Sequence, residues 1–254
     1  MTHQPGAVLV TGAAQRIGRA IALDLAQAGW RVAVHYHHSS AAAEETVALI
    51  ASAGGKAVSL KADLADEAAA TGLVGTASAR LGEPLIALVN NASIFARDQW
   101  NTASRQSWDS HLNINLRAPF LLIQALAVQL PKERTGAAVN ILDQRVWKLT
   151  PDYLSYTLSK AGLWTLTRTL AQALAPRLRV NGVGPGPVLP SARQDADSFA
   201  RQAAAVPLRH GAAPQEIADA VRFLLDSPSI TGQMIAVDGG QHLAWQTPDV
   251  IGVE

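Results

Sequence analysis

Three side chains between Asn140 and Lys160 (NILDQRVWKLTPDYLSYTLSK) have the types and the spacing to move protons. Tyr156 and Lys160 are four residues apart, so on a helix their side chains lie one above the other on one face. A lysine ammonium beside a phenol stabilises the phenolate and lowers the tyrosine pKa toward working pH. That makes Tyr156 a candidate proton donor to a substrate receiving hydride. Asp143 ends a short apolar run, Ala137 to Leu142, and adds a second ionisable group facing the same space. By itself a Tyr-x-x-x-Lys pair reads as an ordinary surface pair. Its weight comes from the elements that must position it.

Those elements alternate along the chain. Ala7 to Val10 reads as a short strand, followed by Thr11-Gly-Ala-Ala-Gln-Arg-Ile-Gly18 and a helix from about Arg16 to Ala28 with Ile17, Ile21 and Leu25 on one face. In a strand–turn–helix setting, Gly12 permits the tight turn and Gly18 lets helix and strand pack closely. The helix N-terminus then offers free N–H groups to a pyrophosphate. The spacing departs from GxGxxG, because Arg16 stands where a glycine is expected.

A second strand, Arg31 to Tyr36, runs into His37, His38 and Ser39, and no acidic residue lies between Asp24 and Glu44. An acid here meets a free ribose 2′-hydroxyl. Its absence, with hydrogen-bond donors in its place, favours NADPH over NADH, although a solvated strand end would look the same. A helix (Ala41 to Ala53), a strand (Ala57 to Leu60) and Asp63-Leu64 complete the next unit. Asp63 reads either as an acceptor for an adenine amino group or as the cap of the helix beginning near Glu67.

Leu85 to Val89 ends in Asn90-Asn-Ala-Ser-Ile-Phe95. Adjacent asparagines there suit the tying together of crevice loops, or a simple turn. Phe95 is a candidate wall for a planar substrate. Ser107 to Leu130 reads as the longest helix, with Pro119 inside it and Asn115 in mid-helix, where an amide needs a local reason. Ser155 to Ala175 is the second long helix, and its small residues suit packing against another copy. Arg179 to Val183 is a strand running into a rigid turn, Gly184-Pro-Gly-Pro187. Ser191 to Ala205 reads as a mobile helical lid, spanning 188–206 with its flanks. A helix (Gln215 to Leu225) and a strand (Met234 to Val237) finish the chain.

The pattern predicts an α/β fold over residues 1–254 as a single domain: one Rossmann-type, doubly wound parallel sheet of about seven strands with helices on both faces. Every candidate residue then falls at a strand C-terminus. Composition agrees. Hydrophobic residues are 48%, charged residues 16% and the net charge is +1 with no basic patch, which argues against disorder and against nucleic acid. Cysteine is absent, which excludes disulfides and thiolate metal sites but fixes no compartment. No run is long enough to span a bilayer and the N-terminus does not read as a signal peptide, so a cytoplasmic enzyme is expected. His111, His210 and His242 have no partners at ligand spacing, and no metal is implied.

In these residues the chain resembles the short-chain dehydrogenase/reductase family over essentially its whole length. The turn Thr11–Gly18, Asn90-Asn-Ala, Asn115, Tyr156-x-x-x-Lys160 and Val183-Gly-Pro-Gly186 occur in family order and at family spacing. Within the family it most resembles the pteridine and dihydromonapterin reductases. Arg16 replaces the middle glycine, His35-Tyr-His37 is similar to their cofactor loop, and Asn91-Ala-Ser-x-Phe95 is similar to their substrate loop. Asp143 occupies the slot of the usual catalytic serine.

The resemblance implies an NADPH-dependent reductase, expected as a homotetramer, with Asp143, Tyr156 and Lys160 as catalytic group and Asn115 supporting a proton relay. It implies Phe95 stacked on a pterin ring opposite the nicotinamide, with Ser93 and Arg16 as polar contacts. Cofactor contacts are expected from Thr11, Gly12, Arg16, Ile17, Gly18, His37, His38, Ser39, Asp63, Leu64, Asn90, Ala92, Ser93, Tyr156, Lys160, Pro185, Gly186 and Val188. One position departs: His38 stands where the pteridine reductases carry arginine, and it lacks arginine's permanent charge and fork of donors. Asp143 also argues for the substrate directly. A carboxylate repels a ketone oxygen, whereas it accepts from ring N–H groups, or donates when burial keeps it protonated. A carbonyl reductase tolerant of Asp143 and a non-catalytic NADP(H)-binding protein remain the alternatives.

Overall fold

Near-continuous apolar runs are what a parallel sheet buried on both faces requires. The computed structural model describes residues 5–190 and 194–246. Its strands are β1 (Ala7–Val10), β2 (Arg31–Tyr36), β3 (Lys56–Lys61), β4 (Leu85–Asn90), β5 (Gly136–Ile141), β6 (Leu178–Pro185) and β7 (Met234–Val237). They form one seven-stranded sheet in the order β3-β2-β1-β4-β5-β6-β7, with every pairing parallel. The helices are α1 (Arg16–Gln27), α2 (Ser40–Ser52), α3 (Glu67–Leu81), α4 (Arg105–Leu112), α5 (Ala118–Gln129), α6 (Leu154–Leu174), α7 (Ala196–Ala204) and α8 (Pro214–Asp226).

Alternation along the strands divides the core. Val8, Val10, Val32 and Val34 point to the face covered by α1, α2 and α8, where Ile21, Leu25, Ile50, Val221 and Leu224 are buried. Ala7, Leu9 and Ala33 point to the other face, against Leu73 and Val74 of α3 and Leu122 and Leu126 of α5. Strand order reverses between β1 and β4, which opens a crevice at the C-terminal ends of the central strands.

Three boundaries differ from the sequence reading. The expected helix Ser107 to Leu130 is two helices joined by a π-helical turn, Asn113–Arg117, and Pro119 is the second residue of α5, directly after that turn. β6 continues through Gly184 and Pro185, which pair with Ala236 and Val237 of β7, so the rigid turn begins two residues later, at Gly186. The cap of α3 is Asp66, whose carboxylate accepts from the N–H groups of Ala68 and Ala69. Asp63 instead accepts from the Ala65 N–H.

Candidate active site

A cleft of about 950 Å³ opens at the reversal point. Its floor is the turn after β1. Gly12 has φ +61°, a left-handed conformation that favours glycine, and a Cβ on Gly18 would lie 2.1 Å from the Gly12 carbonyl oxygen. Gln15, the N-cap of α1, makes no side-chain cap, and no acid sits in the first turn. The helix therefore presents N–H groups and the positive end of its dipole to the cleft. The turn is tied to β4 from both directions. Thr11 Oγ1 accepts from the N–H groups of Asn91 (2.9 Å) and Ala92 (3.0 Å), and Asn91 Nδ2 donates to the carbonyls of Thr11 (2.9 Å) and Gly12 (3.1 Å).

The tying asparagine is thus Asn91. Asn90, expected at the cofactor, is buried within the sheet and donates to Asn140 Oδ1 at 2.8 Å. Thr11 and Leu64, both buried, and the exposed Asp63 do not line the cleft, whereas Gly12, Arg16, Ile17 and Gly18 do. Arg16 adopts φ 56° without being glycine, and its Nη2 donates to the carbonyls of Pro190 (3.0 Å) and Leu189 (3.4 Å). It straps the segment leading to α7 across the cleft. At the far end His37, His38 and Ser39 line the wall.

At the near end Asp143 leaves β5 half-buried and caps a 3-10 turn, Gln144–Val146, through an acceptor bond from the Arg145 N–H (2.8 Å). Its other oxygen accepts from the Tyr156 hydroxyl at 2.9 Å. Lys160, 3% exposed, donates from Nζ to the Ile141 carbonyl (2.8 Å) and lies 5.9 Å from the Tyr156 ring centre. Burial first, then the charge and hydrogen bond of Asp143, raise the Tyr156 pKa well above its usual value, against a lowering by Arg145. The lowering expected from Lys160 is therefore not realised, and the phenol holds its proton. Burial brings Lys160 itself down from 10.5 to about 8, against the pull of Asp143.

Phe95 stands over this pair. Its ring meets Tyr156 edge-on (4.7 Å, 77°) and stacks on Tyr153 (4.4 Å, 9°), while the Arg145 guanidinium covers Tyr153 at 5.1 Å. Tyr153 has φ 62° at the start of α6 and was missed from the sequence. Its place three residues before Tyr156, on the same helical side, was the available signal. Gln144 and Arg145 were missed as well. Both line the cleft, and Gln144 Oε1 and Arg145 Nε have no hydrogen-bond partner among the described residues.

Asn115 does not line the cleft and lies in the π turn. Its side chain accepts from Ser93 Oγ (3.1 Å) and the Ile94 N–H (2.9 Å), and donates to the Ile94 carbonyl (3.0 Å) and Ser159 Oγ (3.1 Å). It therefore clamps the Phe95 loop to α6. A second tie was not expected. Buried Asp98 accepts from the Ser155 N–H at 3.1 Å and from the Ser155 hydroxyl, whose oxygen lies 2.7 Å from His111 Nδ1.

The remaining wall comes from β6 and beyond. Pro185, Gly186 and Val188 line the cleft, and a Cβ on Gly186 would sit 2.6 Å from the Asp238 Cα. Of the expected lid, residues 191–193 lie outside the described residues. α7 contributes Ser198, Phe199 and Gln202 to the opening.

The sequence model of a family described as enoyl-(acyl carrier protein) reductase matches residues 12–242. The 3-oxoacyl-[acyl-carrier-protein] reductase FabG of Staphylococcus aureus is 35% identical over 241 residues, covering 92% of this chain and 97% of that protein. The chain is a short-chain dehydrogenase/reductase. Its fold is also that of FolM alternative dihydrofolate reductase 1 of Brucella canis, solved with NADP (49% identity, TM-score 0.93, 96% of each chain), and of its Brucella suis counterpart (48%, 0.93, 98% and 100%). In this short-chain dehydrogenase/reductase, the glycine cradle, the uncapped helix start and the volume of the cleft fit a dinucleotide. Among the described residues no group of His, Asp and Glu could hold a metal, and no helix is long and apolar enough to cross a membrane.

Proposed function

We propose that this protein reduces a pteridine ring with NADPH. The observation that carries the reading is Asp143 bonded to Tyr156 beneath Phe95. A carboxylate stands where a ketone reductase needs a neutral donor, in a slot walled by aromatic rings. The similarity to the two Brucella FolM reductases supports it, and so does their NADP.

In this reading NADPH, when bound, supplies hydride. The chain's residues orient the ring and manage protons. Phe95 offers a flat face, which requires the ring to enter beside or displace the stacked Tyr153. Tyr156 keeps its proton until a stronger acceptor than Asp143 approaches, since burial and the carboxylate both oppose phenolate. A ring nitrogen gaining electron density is such an acceptor. Asp143, released from the phenol, then accepts from a ring N–H or amino group. Lys160 is the cation available to the phenolate left behind, and Asn115 with Ser93 holds the Phe95 loop in register.

The test is loss of NADPH absorbance with dihydropteridines, dihydrofolate and a panel of 3-oxoacyl and other ketones. Turnover restricted to pteridines is expected. Ketone turnover alone would favour the activity named for FabG, and cofactor binding without turnover a non-catalytic role. The exposed apolar side chains of Trp108 on α4, Leu158 on α6 and Phe223 on α8 suit contacts between copies, and light scattering is expected to return a tetramer.

A further inference from the structure

The three histidines that close β2 do different work. His35 is buried. Its Nδ1 accepts the Gly12 N–H at 3.0 Å, which places its proton on Nε2, 3.2 Å from the Ala62 carbonyl. Burial first, then the neighbouring His37, bring its pKa down to about 4, against a raising bond to Ala62, so it stays neutral and braces the glycine turn. His37 and His38 are solvent-accessible at the cleft rim, with ring centres 3.6 Å apart, and His37 Nε2 lies 3.8 Å from Asp63 Oδ2.

Among the described residues, no arginine or lysine is bonded into that corner. Arg16 is engaged with the carbonyls of Leu189 and Pro190, and Arg19 with Glu45 and the carbonyls of Ala14 and Ala42. Lys61 ends β3 beside Tyr36 and does not line the cleft. From α2, Glu44 is bonded to Ser59, and Ser39 adds a hydroxyl without charge. Among the described residues, the charged side chain in contact with the imidazoles is the carboxylate of Asp63.

A ribose 2′-phosphate entering this corner therefore meets a negative site as long as both imidazoles are neutral. Protonating the pair turns the corner net positive. His37 then bridges Asp63 and the phosphate, and His38 supplies a second charged donor. We infer that His37 and His38 read the 2′-phosphate as imidazolium cations, so that the preference for NADPH over NADH rises with proton concentration. The inference rests on the cofactor assigned above and not on the identity of the reduced substrate. It also separates this corner from an arginine clamp. A guanidinium keeps its charge, and the phosphate itself only gains charge as pH rises through its second ionisation near about 6.

The experiment is calorimetric titration of NADPH and NADH into the protein between pH 6.5 and 9, in pairs of buffers with different ionisation enthalpies. The expected result is net proton uptake with NADPH and none with NADH. The ratio of the two dissociation constants should shrink at least tenfold across the range. His38→Arg should hold NADPH affinity at pH 9 and flatten the ratio. A ratio constant within about twofold, or equal proton uptake for both nucleotides, would overturn the inference while leaving the reductase assignment intact. Failure of either nucleotide to bind would overturn both.

Discussion

The Tyr156 hydroxyl donates to Asp143 Oδ2 at 2.9 Å, and this bond joins the end of β5 to the first turns of α6 inside the cleft. It makes the phenol a guarded acid. Replacing Asp143 by serine removes both the carboxylate and the acceptor that suits ring N–H groups. Asp143→Ser is therefore expected to lower kcat/KM for a dihydropteridine by about 10²-fold or more, the usual scale of a positioned acid or base. Steady-state kinetics on the folded variant decides this, and near-full activity would remove Asp143 from the mechanism.

Much of that site is legible in the sequence because its signals are local. Gly12 and Gly18 sit six residues apart around one turn, Tyr156 and Lys160 share one helical face, and Asp143 follows an apolar run. What is not legible is set by contacts distant in sequence. Asp98 and Ser155 are 57 residues apart, and His111 and Ser155 are 44 apart, so no periodicity announces them. The π turn at Asn113–Arg117 follows from the Asn115 amide finding Ile94 and Ser159, which a helical pattern hides. The sign of the Tyr156 shift depends on burial and on which charge lies nearest, and spacing reports neither. Asn90 and Asn91 look interchangeable as letters, but strand alternation buries the first and aims the second at the glycine turn.

Lys160 is a stability cost retained at the site. Its pKa falls from 10.5 to about 8, so burying the ammonium costs about 3 kcal/mol below pH 8, and the cost fades as pH rises from 8 toward 10.5. The bond to the Ile141 carbonyl offsets part of it. Lys160→Met should abolish turnover and raise stability by about 1–2 kcal/mol at pH 7, or roughly 2–8 °C in Tm. The gain should be smaller at pH 9.5. Thermal unfolding of both proteins at the two pH values measures it, and a variant less stable than the parent at pH 7 would refute the account.

His35 gives a pH dependence of the same sign in a lower window. The folded protein holds it neutral down to about pH 4, while the unfolded chain takes up a proton below about 6.5. Stability from this residue is full above pH 6.5 and is lost as pH falls toward 4, by up to about 3 kcal/mol. His35→Gln offers an acceptor to Gly12 and a donor to Ala62 without a titrating group. Urea unfolding at pH 7, 5.5 and 4.5 should show the midpoint falling less steeply in the variant than in the parent. Parallel slopes would show that acid loss arises elsewhere.

Ser155 joins the two loops on which the cleft depends. The Ala96 N–H donates to His111 Nε2 at 3.2 Å, so the His111 proton is on Nδ1 and points to Ser155 Oγ, whose own proton goes to Asp98. Burial pushes the Asp98 carboxyl up, but the bonds from Ser155 and Ser107 outweigh it and hold it below its usual range, while burial lowers His111. The network is a buried anion and a neutral ring joined through the Ser155 hydroxyl. Ser155→Ala leaves the His111 N–H unpaired and Asp98 short of a donor, at about 1–3 kcal/mol. Ser155 precedes Tyr156, and Asp98 follows Phe95 by three residues, so loosening should misplace acid and ring wall together. The expected result is a lower Tm with kcat reduced more than KM is changed, and partial rescue in Ser155→Thr, which restores the hydroxyl. A variant that loses Tm but keeps the parent kcat would confine the network to stability.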